Sequence, residues 1–207
     1  MGKGRKGVPR FDARSEKLGG AILDVEHCVM NGDYGIPSYA TWLRMLARCY
    51  RESYLKNTPS YTNCEVCDEW KRYSNFEKWF NNPSNGYKEG YALDKDILIK
   101  GNKLYSPSTC CFVPNEINAL LIKHDSKRGE YPIGVSAHDK RFCARISVFK
   151  KGSIWLGTFD TPQDAFNAYK QAKEQYIKEM ASKYYKEGKI TKEVYDALMK
   201  YEVEITD

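Results

Sequence analysis

The sequence predicts an α+β protein: helices first, then a hairpin followed by a helix, then a three-stranded antiparallel sheet packed on a long helix, with a further helix at the C-terminus. Three observations carry this. Apolar residues recur at helical spacing around Trp42 and again from Ala165. Short extended runs rich in aromatic and β-branched residues alternate with turn residues, as at Lys100-Gly101-Asn102-Lys103. The polar run Asp125-Ser126-Lys127-Arg128-Gly129-Glu130 separates one set of elements from the next.

In chain order, residues 1–37 read as a basic tail and linker in which Lys3, Arg5, Lys6, Arg10 and Arg14 stand among glycines. The tail is either a solvated end or an arm that touches phosphates. From Ser38, Trp42, Met45, Leu46, Cys49 and Tyr50 form one apolar helical face, with Arg44, Arg48 and Arg51 off it. Ser74 and Glu77 have the spacing of a capping box ahead of Phe76, Trp79 and Phe80. The run from Asn81 to Gly86 then stops that helix. Tyr91 to Leu98 is strand-like and pairs, through the turn at 100–103, with Leu104-Tyr105. Pro114 opens a helix carrying Ile117, Leu120 and Leu121. After the linker at 125–130, three strands run from Tyr131, and Thr161, Pro162 and Asp164 start a long helix with a stripe of Ala165, Ala168, Tyr169, Ala172 and Tyr176. Gly188 separates it from a last helix with Val194, Leu198, Tyr201 and Ile205 on one side. The domains are thus 38–124 and 131–187, with 188–207 as a C-terminal helix.

Hydrophobic residues make up 42% and aromatics 14%, enough to pack cores and to exclude a disordered chain. Lys and Arg exceed Asp and Glu by 33 to 27, a net +6 that suits a polyanionic partner without requiring one. No run approaches the roughly 18 apolar residues of a membrane span, and the start lacks the apolar core of a secretion signal, so a cytoplasmic protein without a membrane partner is expected. Seven cysteines, an odd number without a regular framework, read as reduced thiols.

Tyr131-Pro132-Ile133-Gly134-Val135, Phe142-Cys143-Ala144-Arg145-Ile146, Trp155-Leu156-Gly157-Thr158-Phe159-Asp160-Thr161 and Ala165, Ala168 and Tyr169 resemble, in order and spacing, the apetala/ethylene-response-factor (ERF) DNA-binding domain. The resemblance covers 131 to about 175. It implies that the sheet lies in the major groove of double-stranded DNA, with Arg and Trp side chains reaching bases and phosphates. By alternation Phe142, Ala144, Ile146 and Val148 face the helix, while Cys143, Arg145, Ser147 and Phe149 face away. The resemblance then places Ser136, His138, Lys140, Arg141, Arg145, Ser147, Ser153 and Trp155 on or beside the DNA-contacting surface. For Trp155 the alternative is a core position, reached if the facing slips by one residue. Lys150 and Lys151 are turn charges within reach of phosphates. Ile133, Ser136, Ser147 and Ser153 stand where the plant proteins place Arg, which removes much of the bidentate base reading.

Asp94 to Asn118, with Trp42-Leu43-Arg44-Met45, Arg48-Cys49-Tyr50, Val66-Cys67-Asp68-Glu69-Trp70 and Phe76 upstream, resembles the ββα-metal unit of HNH nucleases in the degenerate form common in phage genomes. The resemblance implies Asp94 and Asn118 as ligands of a magnesium or manganese ion on the scissile phosphate. It also implies Lys95 at the position of the general-base His, and Thr109 at the position of the Asn that braces the site. A protonated lysine has no lone pair to accept a proton, and Asp94 and Asp96 beside it favour the charged form. Lys95 is therefore read as a charge that pins a phosphate. Asp96 is either a substitute base or a second ligand, and the plain alternative is a charged strand without metal. His124 reads as a surface histidine. Cys64 and Cys67 have zinc-ligand spacing and Cys110-Cys111 could complete a site, but adjacent cysteines rarely reach one tetrahedral ion, so buried thiols are expected in place of zinc.

Three functions stay open: a magnesium-dependent HNH-type DNA endonuclease, a catalytically inactive HNH-derived phage DNA-binding or regulatory protein, and a counter-defence protein that binds a host protein. In each the setting would be the host-cell cytoplasm. No feature of the sequence sets the oligomeric state.

Overall fold

The computed structural model describes residues 18–25, 36–121 and 130–205. Residues 1–17 and 26–35 of the basic tail and linker, His124 and residues 125–129 of the second linker lie outside the described residues, while residues 18–25, read as part of the tail and linker, pack on the first unit with Ala21 buried. The architecture is α+β, and the chain divides into two compact units, Met1–Val113 and Pro114–Asp207. That division falls ahead of the 125–130 boundary read from the sequence. No helix among the described residues is long and apolar enough to cross a membrane.

In the first unit, α1 (Pro37–Tyr50) starts with Pro at its first position and buries Trp42, Met45, Leu46 and Cys49, the stripe read from the sequence. Arg44 and Arg51 are exposed, but Arg48 lies 5.5 Å above the Tyr61 ring. After α2 (Glu52–Asn57), β1 (Glu65–Val66) leads into α3 (Asp68–Lys71) and α4 (Tyr73–Phe80). Trp70, Phe76, Trp79 and Phe80 pack with Phe112 and Tyr87 into an aromatic core. Trp42 Nε1 donates to the Trp70 carbonyl at 2.7 Å, tying α1 to it.

The capping box expected from Ser74 and Glu77 does not form. Ser74 instead donates from its amide (2.9 Å) and its hydroxyl (2.7 Å) to the carboxylate of Asp24, 50 residues away. Glu77 accepts from the Tyr73 hydroxyl. Asp24 is delivered there by the extended segment around Ile22, whose backbone bonds Lys71 and Tyr73. Partial burial pushes the Asp24 carboxyl up, but the two Ser74 donors and Arg72 outweigh it and hold it below the usual range.

The expected hairpin is also re-partnered. The strand β2 stops at Asp94 (Ala92–Asp94) and pairs antiparallel with β4 (Cys111–Val113), with Asp94 opposite Cys111. β3 (Leu104–Tyr105) pairs parallel with β1. A regular strand to Leu98 is prevented because the Asp94 side chain captures the amides of Asp96 and Ile97.

In the second unit, α5 (Asn115–Leu120) buries Ile117 and Leu120. The sheet follows in the order β5 (Val135–His138), β6 (Arg141–Val148), β7 (Gly152–Phe159), all antiparallel. α6 (Pro162–Lys186) begins as expected: Thr161 Oγ1 accepts from the Asp164 amide at 3.1 Å, and Pro162 takes the first position. Its Ala165, Phe166 and Tyr169 close on Ala144 and Ile146 of the sheet. α7 (Lys192–Met199) buries Val194 and Leu198 but stops six residues short of Ile205, which is exposed; Val203 enters the core instead, its amide donating to Glu174 Oε1 at 2.8 Å.

Candidate functional site

The central strand β6 alternates as the sequence reading has it. Ala144 and Ile146 are buried and Phe142 and Val148 half-buried against α6, while Arg141, Arg145 and Ser147 are exposed. Register extends this face across the sheet. His138 lies opposite Arg141, Ser136 opposite Cys143, Arg145 opposite Trp155 and Ser147 opposite Ser153. Cys143 departs from its neighbours: it is buried at 7% exposure, its thiol 3.7 Å from Thr158 Oγ1, because a small side chain on a central strand is covered by larger ones beside it.

Trp155 is 60% exposed, so it is no core tryptophan. A β-bulge decides this. Ala144 pairs with Gly157 but Arg145 pairs with Trp155, which leaves Leu156 as the extra residue on β7. Counting back by two from Phe159, which packs on the helix side, an unbroken strand would turn Trp155 inward and Leu156 outward. The bulge reverses both: Leu156 packs on the core and Trp155 faces solvent. Gly157 makes it possible with φ of +145°, a backbone geometry that suits glycine.

The cations of this face differ in engagement. Arg141 donates from Nε to Asp160 at 3.0 Å and from Nη2 to the Thr158 carbonyl at 3.3 Å. His138 Nδ1 lies 3.2 Å from Asp139. Lys140, in the β5–β6 turn, and Lys150 and Lys151, in the β6–β7 turn, are exposed, as is Arg145. From Arg141 to Phe159 the chain carries four cations and no Asp or Glu.

The Asp94 loop is organised by its own side chains. Asp94 Oδ1 accepts from the amides of Asp96 (2.7 Å) and Ile97 (2.8 Å), bending the chain out of β2. Asp96 therefore does not continue a strand face shared with Asp94. The Lys95 side chain is only 6% exposed and points inward. Its ammonium donates to both Asp96 oxygens (2.7 and 2.8 Å) and to the Asn102 carbonyl (2.8 Å), 5.9 Å from the Tyr61 and Tyr105 ring centres. Asn102 answers with Nδ2 bonds to the carbonyls of Lys95 and Leu104. Thr109 Oγ1 donates to the Leu104 carbonyl at 2.7 Å and accepts from the Ser106 amide at 3.1 Å. Burial drives the Asp94 carboxyl above the usual range in spite of its two amide donors. Asn118 is half-buried on α5 and falls in the second unit.

Among the described residues no three His, Cys, Asp or Glu side chains come together as a cation site, so Cys64 and Cys67 are not joined by further ligands of these kinds. The described cysteines are free thiols. Burial pushes Cys49 and Cys110 up to about 12, which makes them poor nucleophiles. Asn102, absent from the candidate residues read from the sequence, is the partner that fixes Lys95; its place in a Lys-Gly-Asn-Lys turn was the only signal, and such turns are common. Comparison of the chain with known family models, curated proteins and solved structures finds no match.

Proposed function

We propose that this chain binds double-stranded DNA through the outward face of the β5–β6–β7 sheet, as the ERF resemblance implies. One observation carries the reading: Arg145 and Trp155 stand exposed opposite each other on a hairpin that holds cations and no acids. A guanidinium beside an indole offers base-edge hydrogen bonds and apolar contact, while Lys150 and Lys151 supply phosphate contacts. Serines at 136, 147 and 153 limit further base reading, so sequence preference is modest and rests on Arg145. Arg145→Ala is expected to weaken binding by about 1–3 kcal/mol on a preferred duplex, whereas Lys150→Ala lowers the salt slope by about 0.9 on every duplex. Titrations of two unrelated duplexes at several salt concentrations check both. Equal, salt-insensitive affinities for wild type and Arg145→Ala would remove the sheet face from the reading.

The first unit, in this proposal, is an HNH-derived scaffold that does not cleave, acting in the host-cell cytoplasm. Support comes from the Asp94 loop, where Lys95, Asp96 and Thr109 are spent on one another and on the backbone. Plasmid incubated with magnesium or manganese is expected to show no nicking above the background of Asp94→Ala. Nicking that Asp94→Ala abolishes would establish the endonuclease reading, with a hard divalent ion as cofactor.

A further inference from the structure

Three of the seven large apolar side chains exposed among the described residues lie on one hairpin: Phe149 (44%), Ile154 (40%) and Trp155 (60%). Phe149 opens the three-residue turn Phe149-Lys150-Lys151 between β6 and β7. Gly, Pro, Asn, Asp and Ser are the usual occupants of turn positions. Here the turn is also held in place. The Phe149 amide donates to the Tyr176 hydroxyl of α6 at 3.0 Å, and the Lys151 amide closes the turn onto the Val148 carbonyl at 3.0 Å. Lys150, at φ of +62°, sets its ammonium 5.4 Å from the Phe149 ring centre.

An aromatic tip whose backbone is anchored to α6, beside two lysines and with no carboxylate on its hairpin, is complementary to a polyanion that can also accept an apolar plate. Stacked nucleic-acid bases meet that description. Proteins that insert Phe, Leu or Ile between base steps unstack and kink the duplex, and lysines beside such a wedge can reach the adjacent phosphates. We infer that Phe149 is a wedge that enters a base step, with Lys150 and Lys151 on the flanking phosphates, so that the protein binds DNA in a kinked form. This rests on the proposed DNA binding by the sheet and adds to it a preference for duplexes that are easily unstacked.

The test uses the full chain and two fluorescent duplexes of one sequence, fully paired or with a central mismatch, since a mismatched step costs less to unstack. Wild type is expected to bind the mismatched duplex about tenfold or more tightly over the paired one, because unstacking a paired step is worth at least one decade in affinity. Phe149→Ala is expected to bring the ratio to about one, and Phe149→Leu, which keeps an apolar wedge, to retain most of it. End-to-end energy transfer across the duplex is expected to rise on binding of wild type and not of Phe149→Ala. Salt-sensitive, Arg145-dependent binding with equal affinities and no change in energy transfer overturns the wedge and leaves the sheet reading intact. Absence of binding to both duplexes overturns both. A concentration-dependent dimer that Phe149→Ala dissolves, with DNA binding unchanged, also overturns the wedge and assigns the tip to a second copy of the chain.

Discussion

Replacing Gly134 with alanine is expected to cost the second unit about 2–5 kcal/mol, the sum of about 1–2 for a left-handed backbone carrying a Cβ and about 1–3 for overpacking. Both costs arise at one atom. Gly134 has φ of +77°, and a Cβ there would come within 2.1–2.5 Å of three ring carbons of Tyr169, which is itself buried against Ala144 and Ile146. The ring cannot withdraw without opening that core. The Gly134 carbonyl also accepts from the Arg145 amide at 2.9 Å, so a shift of this backbone would disturb β6 at the position that presents Arg145. Gly152 is the control, because it has nearly the same φ, +76°, with nothing within 4 Å of its added Cβ. Chemical denaturation should therefore rank wild type above Gly152→Ala and Gly152→Ala well above Gly134→Ala. Equal losses for the two alanines would mean that Tyr169 yields freely and the packing argument fails.

Ending the chain after Glu187 is expected to abolish cooperative folding of the second unit. The sequence reading placed a boundary there, between a DNA-binding domain and a C-terminal helix. Yet Ile190, Val194, Leu198 and Val203 are each at most 7% exposed, and Val203 packs with Ala144, Ile146 and Phe166 under the sheet. At about 1.5–3 kcal/mol per fully buried apolar side chain the segment contributes up to roughly 6–12, an upper bound. That is comparable with the whole stability of an ordinary domain, about 5–15, even after the chain entropy of ordering the segment is set against it. Val203→Asp tests the same contact with the chain intact, and should lower the melting temperature and raise protease sensitivity without removing α7. A truncated chain that kept an unaltered cooperative transition would show that the last twenty residues are an appendage.

What the sequence discloses here depends on how local the determinant is. The α1 stripe and the Thr161-Pro162-Asp164 start are set within a few residues, and both stand as read. The facing of β6 follows from alternation alone. Ser74 and Glu77 satisfy a local pattern too, but Asp24 supplies a stronger acceptor from 50 residues away, which no spacing rule reveals. The Asp94-Lys95-Asp96 run looks like a strand by composition. Its fate is decided by a side chain that bonds its own backbone and by an inward lysine whose partner, Asn102, lies across a turn. For the same reason Lys95 could be placed in a site by position but not by direction.

Along a strand, which face a residue shows is a matter of parity, and substitution cannot change parity. Only an added or missing residue can. The extra Leu156 is absorbed as a bulge, so that the residues from Trp155 back to Gly152 keep the pairing with β6 that turns the indole outward. Removing Leu156 would forfeit its core contact and restore an even count in which Trp155 still faces solvent. Adding a residue between Trp155 and Phe159 without a further bulge would instead turn the indole inward. The surface that this sheet offers a partner is therefore edited by chain length as well as by residue identity, wherever a residue gained or lost is not taken up by a bulge.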